Sequence, residues 1–144
     1  MSRKNILFSG SIAVGLAVTL LLSMVKPQKQ NPDQQVDKVP LLSAADLDML
    51  LDEEDEKFVL LDTRSPEEYR TGHIKNARFV NFETFRLSQL ADIPKDKEII
   101  VYCLSGGRSN RVGMQLLEAG YQNVRNLEGG IRNWKAKGYP ITND

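Results

Sequence analysis

From residue 41 onwards, short apolar segments alternate with segments that carry helix signals. Four short segments are candidates for buried or half-buried strands: residues 58–61, 78–81, 98–102 and 123–127. Five segments have helical spacing or helix start and stop signals: residues 44–51, 66–72, 84–90, 111–119 and 131–137. Strands that are separated by helices need crossover connections, and these favour a mostly parallel sheet with helices on both faces. The sequence therefore predicts one α/β domain over residues 41–144.

Residues 1–25 differ in character from the rest of the chain. Residues 6–25 form a run of twenty uncharged, mostly apolar side chains, and Arg3 and Lys4 precede it. A helix rises about 1.5 Å per residue, so this run would span about 30 Å, the thickness of the hydrocarbon core of a bilayer. We expect a single transmembrane helix that serves as an anchor or signal anchor. A cleaved signal peptide is the alternative, but the run is longer than is usual for one, and no Ala-x-Ala pattern follows it.

Residues 26–40 are polar, rich in Gln, and contain three prolines. This composition favours an extended tether over a packed segment. Basic residues flank the apolar run on both sides, so their distribution hardly decides the direction in which the run crosses the membrane. The order of a basic start followed by an apolar run resembles a signal anchor. We therefore expect a single-pass protein of the cell membrane whose domain faces the extracytoplasmic (periplasmic) side.

The charge of the predicted domain excludes one class of partner. The whole chain has 19 basic and 19 acidic side chains, but residues 41–144 carry 14 basic and 17 acidic ones. A mildly acidic domain lacks the basic face that nucleic-acid binding requires, so we expect no nucleic-acid partner. The chain has one cysteine, which excludes an internal disulfide and a Cys-rich zinc site. Since neither a metal-ligand cluster nor a dinucleotide fingerprint is present, we expect no metal and no cofactor.

The single cysteine, Cys103, directly follows the clearest strand, residues 98–102. In parallel α/β sheets, ligands bind outside the carboxyl ends of the strands. Residues 104–109 contain two glycines and Arg108 and lead into a helix, so backbone N–H groups can converge on one anionic centre. Such an environment lowers the pKa of a thiol and makes it a nucleophile. The alternative is a buried cysteine that only fills space, but the position, the glycines and the arginine together favour the nucleophile.

Four motifs, in order, resemble those of the rhodanese-like sulfurtransferase family. They are Leu-Asp-Thr-Arg at 61–64, Glu-Glu-Tyr with Gly-His-Ile and Ala at 67–77, the cysteine loop at 103–109, and Leu-Glu-Gly-Gly, Trp and Gly-Tyr-Pro-Ile at 127–141. The resemblance covers nearly the whole predicted domain and implies a five-stranded sheet. It also implies transfer of a sulfane sulfur in two steps. A small donor such as thiosulfate or a persulfide loads Cys103 as a persulfide, and a thiol or cyanide acceptor then removes the sulfur.

The resemblance also assigns site residues by position. Cys103 would be the catalytic nucleophile. The substrate would be bound by the loop residues Leu104, Ser105, Gly106, Gly107, Arg108 and Ser109. Asp62 and Arg64, at the end of the neighbouring strand, would either contact the substrate or form an internal ion pair that supports the loop. His73 and Trp134 are expected to pack and not to act in catalysis.

Two features of the cysteine loop narrow the expected chemistry: its length, and a departure from the family pattern at Leu104. Four residues separate Cys103 from Arg108, whereas the phosphatase and arsenate-reductase relatives of this fold have five, which makes a wider ring for a tetrahedral oxyanion. Such an activity is therefore a distant alternative. Leu104 stands where many thiosulfate-active members have a basic residue, which weakens the electrostatic recognition of a dianionic donor.

The sequence restricts the sulfur acceptor, but it leaves open whether the domain is catalytic and whether it forms oligomers. Because the chain has no second cysteine, any sulfur acceptor must be external. A non-catalytic, membrane-tethered binding module that uses the same crevice is the main alternative to a sulfurtransferase. The sequence does not indicate an oligomeric state.

Overall fold

The structure is a computed structural model, and it describes residues 38–53 and 57–144. The predicted anchor at residues 1–25 and most of the predicted tether at residues 26–40 lie outside these ranges, so both stay predictions. Within the described ranges, no helix is both long enough and apolar enough to cross a membrane.

Val39, which the sequence analysis assigned to the tether, lies in the core of the domain. It is 1% exposed, and its N–H donates a hydrogen bond to Asn110 Oδ1 at 2.9 Å. It packs so closely against Gly113 that a Cβ added to the glycine would lie 2.7 Å from Val39 Cγ2. The packed domain therefore includes Val39, because an apolar side chain beside the first strand gains free energy from burial.

The sheet has five parallel strands, as expected. The strands are β1 (Leu41–Leu42), β2 (Phe58–Asp62), β3 (Arg78–Phe79), β4 (Glu98–Tyr102) and β5 (Asn123–Leu127). They form one sheet in the order β1–β5–β4–β2–β3, and every neighbouring pair is parallel. The sequence analysis did not predict β1, because two residues are too few to produce a recognisable pattern. This strand pairs with Asn126 and Leu127 at the edge of the sheet.

Four helices connect or follow the strands. They are α1 (Ala44–Asp52), α2 (Pro66–Arg70), α3 (Gly107–Glu118) and α4 (Gly130–Ala136). Helix α3 begins four residues earlier than predicted, which brings Arg108 and Ser109 into its first turn. The predicted helix at 84–90 is wrong: the chain forms two short 3-10 turns, Phe82–Thr84 and Leu87–Leu90. Phe85 lies between them in an extended conformation that buries its ring (5% exposed), so an α-helix cannot continue through it.

The core consists of two clusters of buried side chains, one on each face of the sheet. Strand β4 alternates between them: Ile99 and Val101 contribute to one cluster, and Ile100 and Tyr102 contribute to the other. Helix α3 covers the first face, and α1 and α4 cover the second, where Trp134 is a buried anchor as predicted. Each fully buried Leu or Ile stabilises the fold by about 1.5–3 kcal/mol. The structure thus confirms a parallel sheet with helices on both faces.

Parallel pairing brings the carboxyl ends of the strands to one edge of the sheet. Asp62, the last residue of β2, pairs with Tyr102, the last residue of β4. The chain then leaves β4 at Cys103 and enters α3 at Gly107. This edge therefore carries the cysteine loop, with β2 on one side of β4 and β5 on the other.

Candidate active site

Cys103 lines a cavity at the carboxyl edge of the sheet. The cavity has a volume of about 410 Å³ and is lined by Cys103, Leu104, Ser105, Gly107, Arg108 and Arg111. The cysteine is 1% exposed, and this cavity reaches it. A larger cavity of about 730 Å³ lies at the opposite edge, beside the first residue of β2, Phe58, and has no nucleophilic thiol, hydroxyl or imidazole in its lining.

The loop after Cys103 folds its donors onto the sulfur. Gly106 has φ +105°, a left-handed conformation that a glycine adopts without strain, and its N–H donates to Cys103 Sγ at 3.1 Å. The hydroxyl of Ser109, in the first turn of α3, lies 3.4 Å from the same sulfur. The loop and the helix start therefore place donors around the sulfur, which is the arrangement that an anion cradle requires.

These donors make Cys103 a more acidic thiol. Burial raises the pKa of the thiol, because a charged sulfur loses its hydration, whereas hydrogen bonds to the sulfur lower the pKa. The donors are the Ser109 hydroxyl and the backbone N–H groups of Ser109, Ser105 and Gly106. Together they outweigh burial, so the pKa of Cys103 lies below its ordinary value. A larger fraction of the thiol is then the nucleophilic thiolate at neutral pH.

Asn126 on β5 is a polar neighbour of the loop that the sequence analysis missed. It is 3% exposed; its Oδ1 accepts from the Ser109 hydroxyl at 2.7 Å, and its Nδ2 donates to the carbonyl of Gly106 at 3.0 Å. A serine hydroxyl has one proton, so Asn126 Oδ1, the Gly106 carbonyl at 3.2 Å and the cysteine sulfur compete for it. An asparagine in a strand whose other inward side chains are apolar is the signal that could have indicated this role.

Arg108 is held by a carboxylate from another element. Its Nη1 and Nη2 atoms donate to the two carboxylate oxygens of Glu68, at 2.7 and 2.8 Å. Glu68 belongs to α2, where it also accepts from the Ser65 N–H at 3.0 Å in a capping box. The two hydrogen bonds from Arg108 are the main reason that the pKa of Glu68 falls to about 2. Arg108 therefore ties the loop to α2, and its charge is balanced by a carboxylate that the sequence analysis did not include in the site.

Asp62 and Arg64 do not line the cavity. They form a buried ion pair, in which Arg64 Nη2 lies 2.6 Å from Asp62 Oδ2 and Arg64 Nε lies 3.0 Å from both oxygens. Arg64 Nη2 also donates to the Gly72 carbonyl at 2.7 Å. Of the two roles proposed for these residues, the structure thus supports the internal ion pair and not direct substrate contact.

His73 packs away from the cysteine, as predicted. Its ring stacks on Tyr69 with centroids 3.9 Å apart, and its backbone pairs with Thr142 through two hydrogen bonds of 2.8 Å. The histidine therefore joins the last residues of the chain to α2, and it is not placed to exchange protons with Cys103.

The start of α4 supports the cysteine loop from behind. The N–H groups of Ile131 and Arg132 donate to the carbonyls of Cys103 and Leu104, at 2.9 and 3.1 Å. Gly130 has φ +60°, and an added Cβ would lie 2.5 Å from the Cys103 oxygen. Only a glycine allows the two backbones to come this close.

The structure thus brings together most of the residues that the sequence assigned to the site. The predicted loop residues either line the cavity or donate to the sulfur: Cys103, Leu104, Ser105, Gly106, Gly107, Arg108 and Ser109. Arg111, one turn along α3, joins them in the lining although it was not predicted. In the part of the chain that the structure describes, no group of three His, Cys, Asp or Glu side chains is placed to hold a metal ion.

Comparison of the chain with known proteins identifies the family to which it is similar. The rhodanese-like domain family matches residues 43–137. A sulfurtransferase from Allochromatium vinosum is 38% identical over 86 residues, which make up 60% of this chain and 79% of the relative. A tRNA uridine(34) hydroxylase from Pectobacterium carotovorum is 36% identical over 109 residues, which cover 69% of this chain. The chain spans only 30% of the length of that hydroxylase.

Solved structures share the same fold. A rhodanese-related protein from Thermoplasma volcanium has a TM-score of 0.63 and 29% identity, and the match covers 73% of this chain and 99% of that one. The rhodanese-like domain of a protein from Anabaena sp. has a TM-score of 0.65 and 28% identity, with coverage of 73% and 80%.

Proposed function

The chain belongs to the rhodanese-like domain family, and on that basis we propose that it is a sulfurtransferase which carries a sulfane sulfur on Cys103. The observation that supports this most is the set of donors aimed at Cys103 Sγ from Gly106 and Ser109. These donors stabilise a negatively charged Sγ, which is the attacking thiolate in the first step and the leaving thiolate in the second. The named sulfurtransferase that matches this chain over 79% of its own length supports the same reaction class.

The first step loads the cysteine. The Cys103 thiolate attacks the outer sulfur of the donor, a new S–S bond forms, and the S–S bond within the donor breaks. The electron pair of the broken bond leaves with the rest of the donor, as sulfite from thiosulfate or as a thiolate from a persulfide. No external oxidant or reductant is required. The cavity of about 410 Å³ is large enough for a small donor and admits it to the buried sulfur.

The second step unloads the cysteine. A thiol or cyanide acceptor attacks the outer sulfur of the persulfide, and the pair of the broken S–S bond returns to Cys103 as the thiolate. The loop donors stabilise this leaving group as they stabilised the attacking group. Because the chain has one cysteine, the acceptor comes from outside the chain.

Intact-protein mass spectrometry of the full chain in mild detergent tests the proposal. After incubation with thiosulfate, an organic thiosulfonate or a low-molecular-weight persulfide, the wild-type mass should rise by one sulfur atom. Addition of a thiol acceptor should remove the sulfur. Cys103→Ser is the matched control and should gain nothing. A wild-type protein that gains no sulfur from any donor would refute the proposal and would favour the non-catalytic binding module.

Two other activities have weaker support. A phosphatase of the related loop type needs room for a tetrahedral oxyanion, and the loop here has only four residues between Cys103 and Arg108. The hydroxylase activity belongs to relatives of which this chain matches 30%, so we do not transfer it.

We also propose that residues 6–25 anchor the protein in the cell membrane, with the domain on the extracytoplasmic side. The proposal is supported by the length of the apolar run and by the basic residues before it. In spheroplasts, added protease should degrade the domain while the membrane stays intact, and alkaline carbonate should leave the protein in the pellet. Protection of the domain from protease would overturn the orientation, and release by carbonate would overturn the anchor.

A further inference from the structure

The two arginines that line the cavity differ in how their charges are balanced. Arg108 and Arg111 are three residues apart on α3, so they lie on neighbouring positions of one helix face. Both Nη atoms of Arg108 are bound to Glu68. In the described part of the chain, no hydrogen bond or ion pair involves the side chain of Arg111, which is exposed. Arg108 is thus held by Glu68 and also interacts with the Cys103 sulfur, whereas the charge of Arg111 is left for a ligand.

The same cavity has an apolar wall beside the nucleophile. Leu104 directly follows Cys103, lines the cavity and is 43% exposed. Gly107 adds no side chain to the lining. A ligand that enters the cavity can thus bury apolar surface against Leu104 at a gain of about 25 cal/mol per Å².

We infer that Arg111 is a specificity residue which, with Leu104, selects organic sulfur donors that combine one anionic group with an apolar body. This inference rests on the proposed sulfurtransferase function. An organic thiosulfonate has this chemistry, because its sulfonyl oxygens can accept from the Arg111 guanidinium while its carbon substituent contacts Leu104. Inorganic thiosulfate carries two charges and no apolar surface, so it matches only half of this lining.

The transfer step balances with such a donor. The Cys103 thiolate forms a bond to the terminal sulfur of the thiosulfonate, and the bond between that sulfur and the sulfonyl sulfur breaks. The electron pair leaves with the sulfinate, and the persulfide anion remains on Cys103. Two negative charges enter the step and two leave it, and no co-reactant is needed. Arg111 lies on the side of the helix that faces the cavity, where it can hold the departing sulfinate.

The experiment compares three donors with the full chain in mild detergent. The donors are thiosulfate, methanethiosulfonate and benzenethiosulfonate, and turnover with a thiol acceptor gives kcat and KM for each. For the wild type, kcat/KM should rise in that order. Arg111→Gln should raise the KM for both thiosulfonates about tenfold with little change in kcat, and Arg111→Lys should restore part of the loss. Leu104→Ser should reduce the preference for the benzene compound over the methane compound.

Arg70→Gln is the matched control, because Arg70 is also an exposed arginine (71% exposed side chain) but lies on α2 outside the cavity lining. It should keep the wild-type KM for every donor. An Arg111→Gln variant with the wild-type KM, or a wild type that prefers thiosulfate, would overturn the inference and leave the sulfurtransferase function standing. A wild type that takes up no sulfur from any of the three donors would overturn the function and the inference together.

Discussion

Replacing Glu68 by Gln removes one charge from the contact that ties the cysteine loop to α2. The Glu68 carboxylate binds both Nη atoms of Arg108 at 2.7 and 2.8 Å and accepts the Ser65 N–H at 3.0 Å. Gln has the same size and keeps one acceptor oxygen, so the variant tests the charge more than the packing. We expect the domain to be less stable at neutral pH and to remain folded.

The structure sets the size of this effect. The pKa of Glu68 is about 2 in the folded protein, against an ordinary value of 4.5. At about 1.4 kcal/mol per pH unit, the charged form of Glu68 contributes at most about 3 kcal/mol to the free energy of unfolding. The Glu68 and Arg108 side chains are 30% and 33% exposed, and solvent screening reduces the effect. We therefore expect Glu68→Gln to lower the free energy of unfolding by about 1–2 kcal/mol at pH 7.

The pH dependence has a definite sign. Because folding lowers the pKa of Glu68, its contribution is fully present above about pH 4.5 and is lost as the pH falls toward 2. Urea unfolding, followed by the fluorescence of Trp134, should show the full difference between wild type and Glu68→Gln at pH 7. Less than half of that difference should remain at about pH 3.

Glu67→Gln provides the control for this experiment. Glu67 is the adjacent carboxylate, its side chain is 75% exposed, and its contact to Arg70 is 3.9 Å long. Its replacement should leave the unfolding curve close to that of the wild type. Equal losses for the two variants, or a Glu68→Gln difference that is the same at pH 3 and pH 7, would refute the reasoning.

Three further predictions concern the residues around the sulfur. Ser109→Ala should raise the pKa of Cys103 by removing a donor, so the alkylation rate measured against pH should shift to higher pH; an unchanged profile would contradict that role. Gly130→Ala should lower the free energy of unfolding by about 2–4 kcal/mol, because the residue has a positive φ and the new Cβ would overlap the Cys103 carbonyl. Gly107→Ala is its control and should unfold at the wild-type urea concentration, because there is open space around the new Cβ. Asn126→Leu should cost about 1–3 kcal/mol in the same assay, because the Gly106 carbonyl and the Ser109 hydroxyl each lose a buried partner; a variant as stable as the wild type would count against this role.

Local sequence signals predicted the part of the site that is local in the chain. An apolar run, a cysteine, a loop with two glycines and a helix follow one another over residues 98–118, and the structure keeps them in that arrangement. The donors to Cys103 come from this same segment, at Gly106 and Ser109. The backbone donors of the loop could be predicted without knowing which strands are neighbours, whereas the Ser109 hydroxyl was not predicted as a donor.

Contacts between distant segments could not be predicted in the same way. Glu68 reaches Arg108 across 40 positions of sequence, and Asn126 reaches Ser109 across 17. Each contact depends on strand order and register, which periodicity alone does not specify. The predicted helix at 84–90 failed for a related reason, since tertiary burial of Phe85 overrides the local helical pattern.

The position of Asp62 and Arg64 shows a third limit. From the sequence alone, a carboxylate and a guanidinium at a strand end can equally be substrate ligands or an internal ion pair. Burial decides between them, because Asp62 is 0% exposed and Arg64 3% exposed, and the two satisfy one another. Exposure distinguishes the roles of Arg111 and Arg64 in the same way. Arg64 is buried in an ion pair, whereas Arg111 is exposed, and the sequence alone does not show this difference.

The acidity of the Cys103 thiol tests the central claim most directly. Thiolate absorbance of the reduced wild-type protein, titrated against pH with Cys103→Ser as the blank, gives the pKa of this one group. The account predicts a midpoint below that of a free cysteine, about 8.5, because the loop donors outweigh burial. A midpoint at or above that value would mean that the loop does not stabilise a charged sulfur, and it would contradict the account.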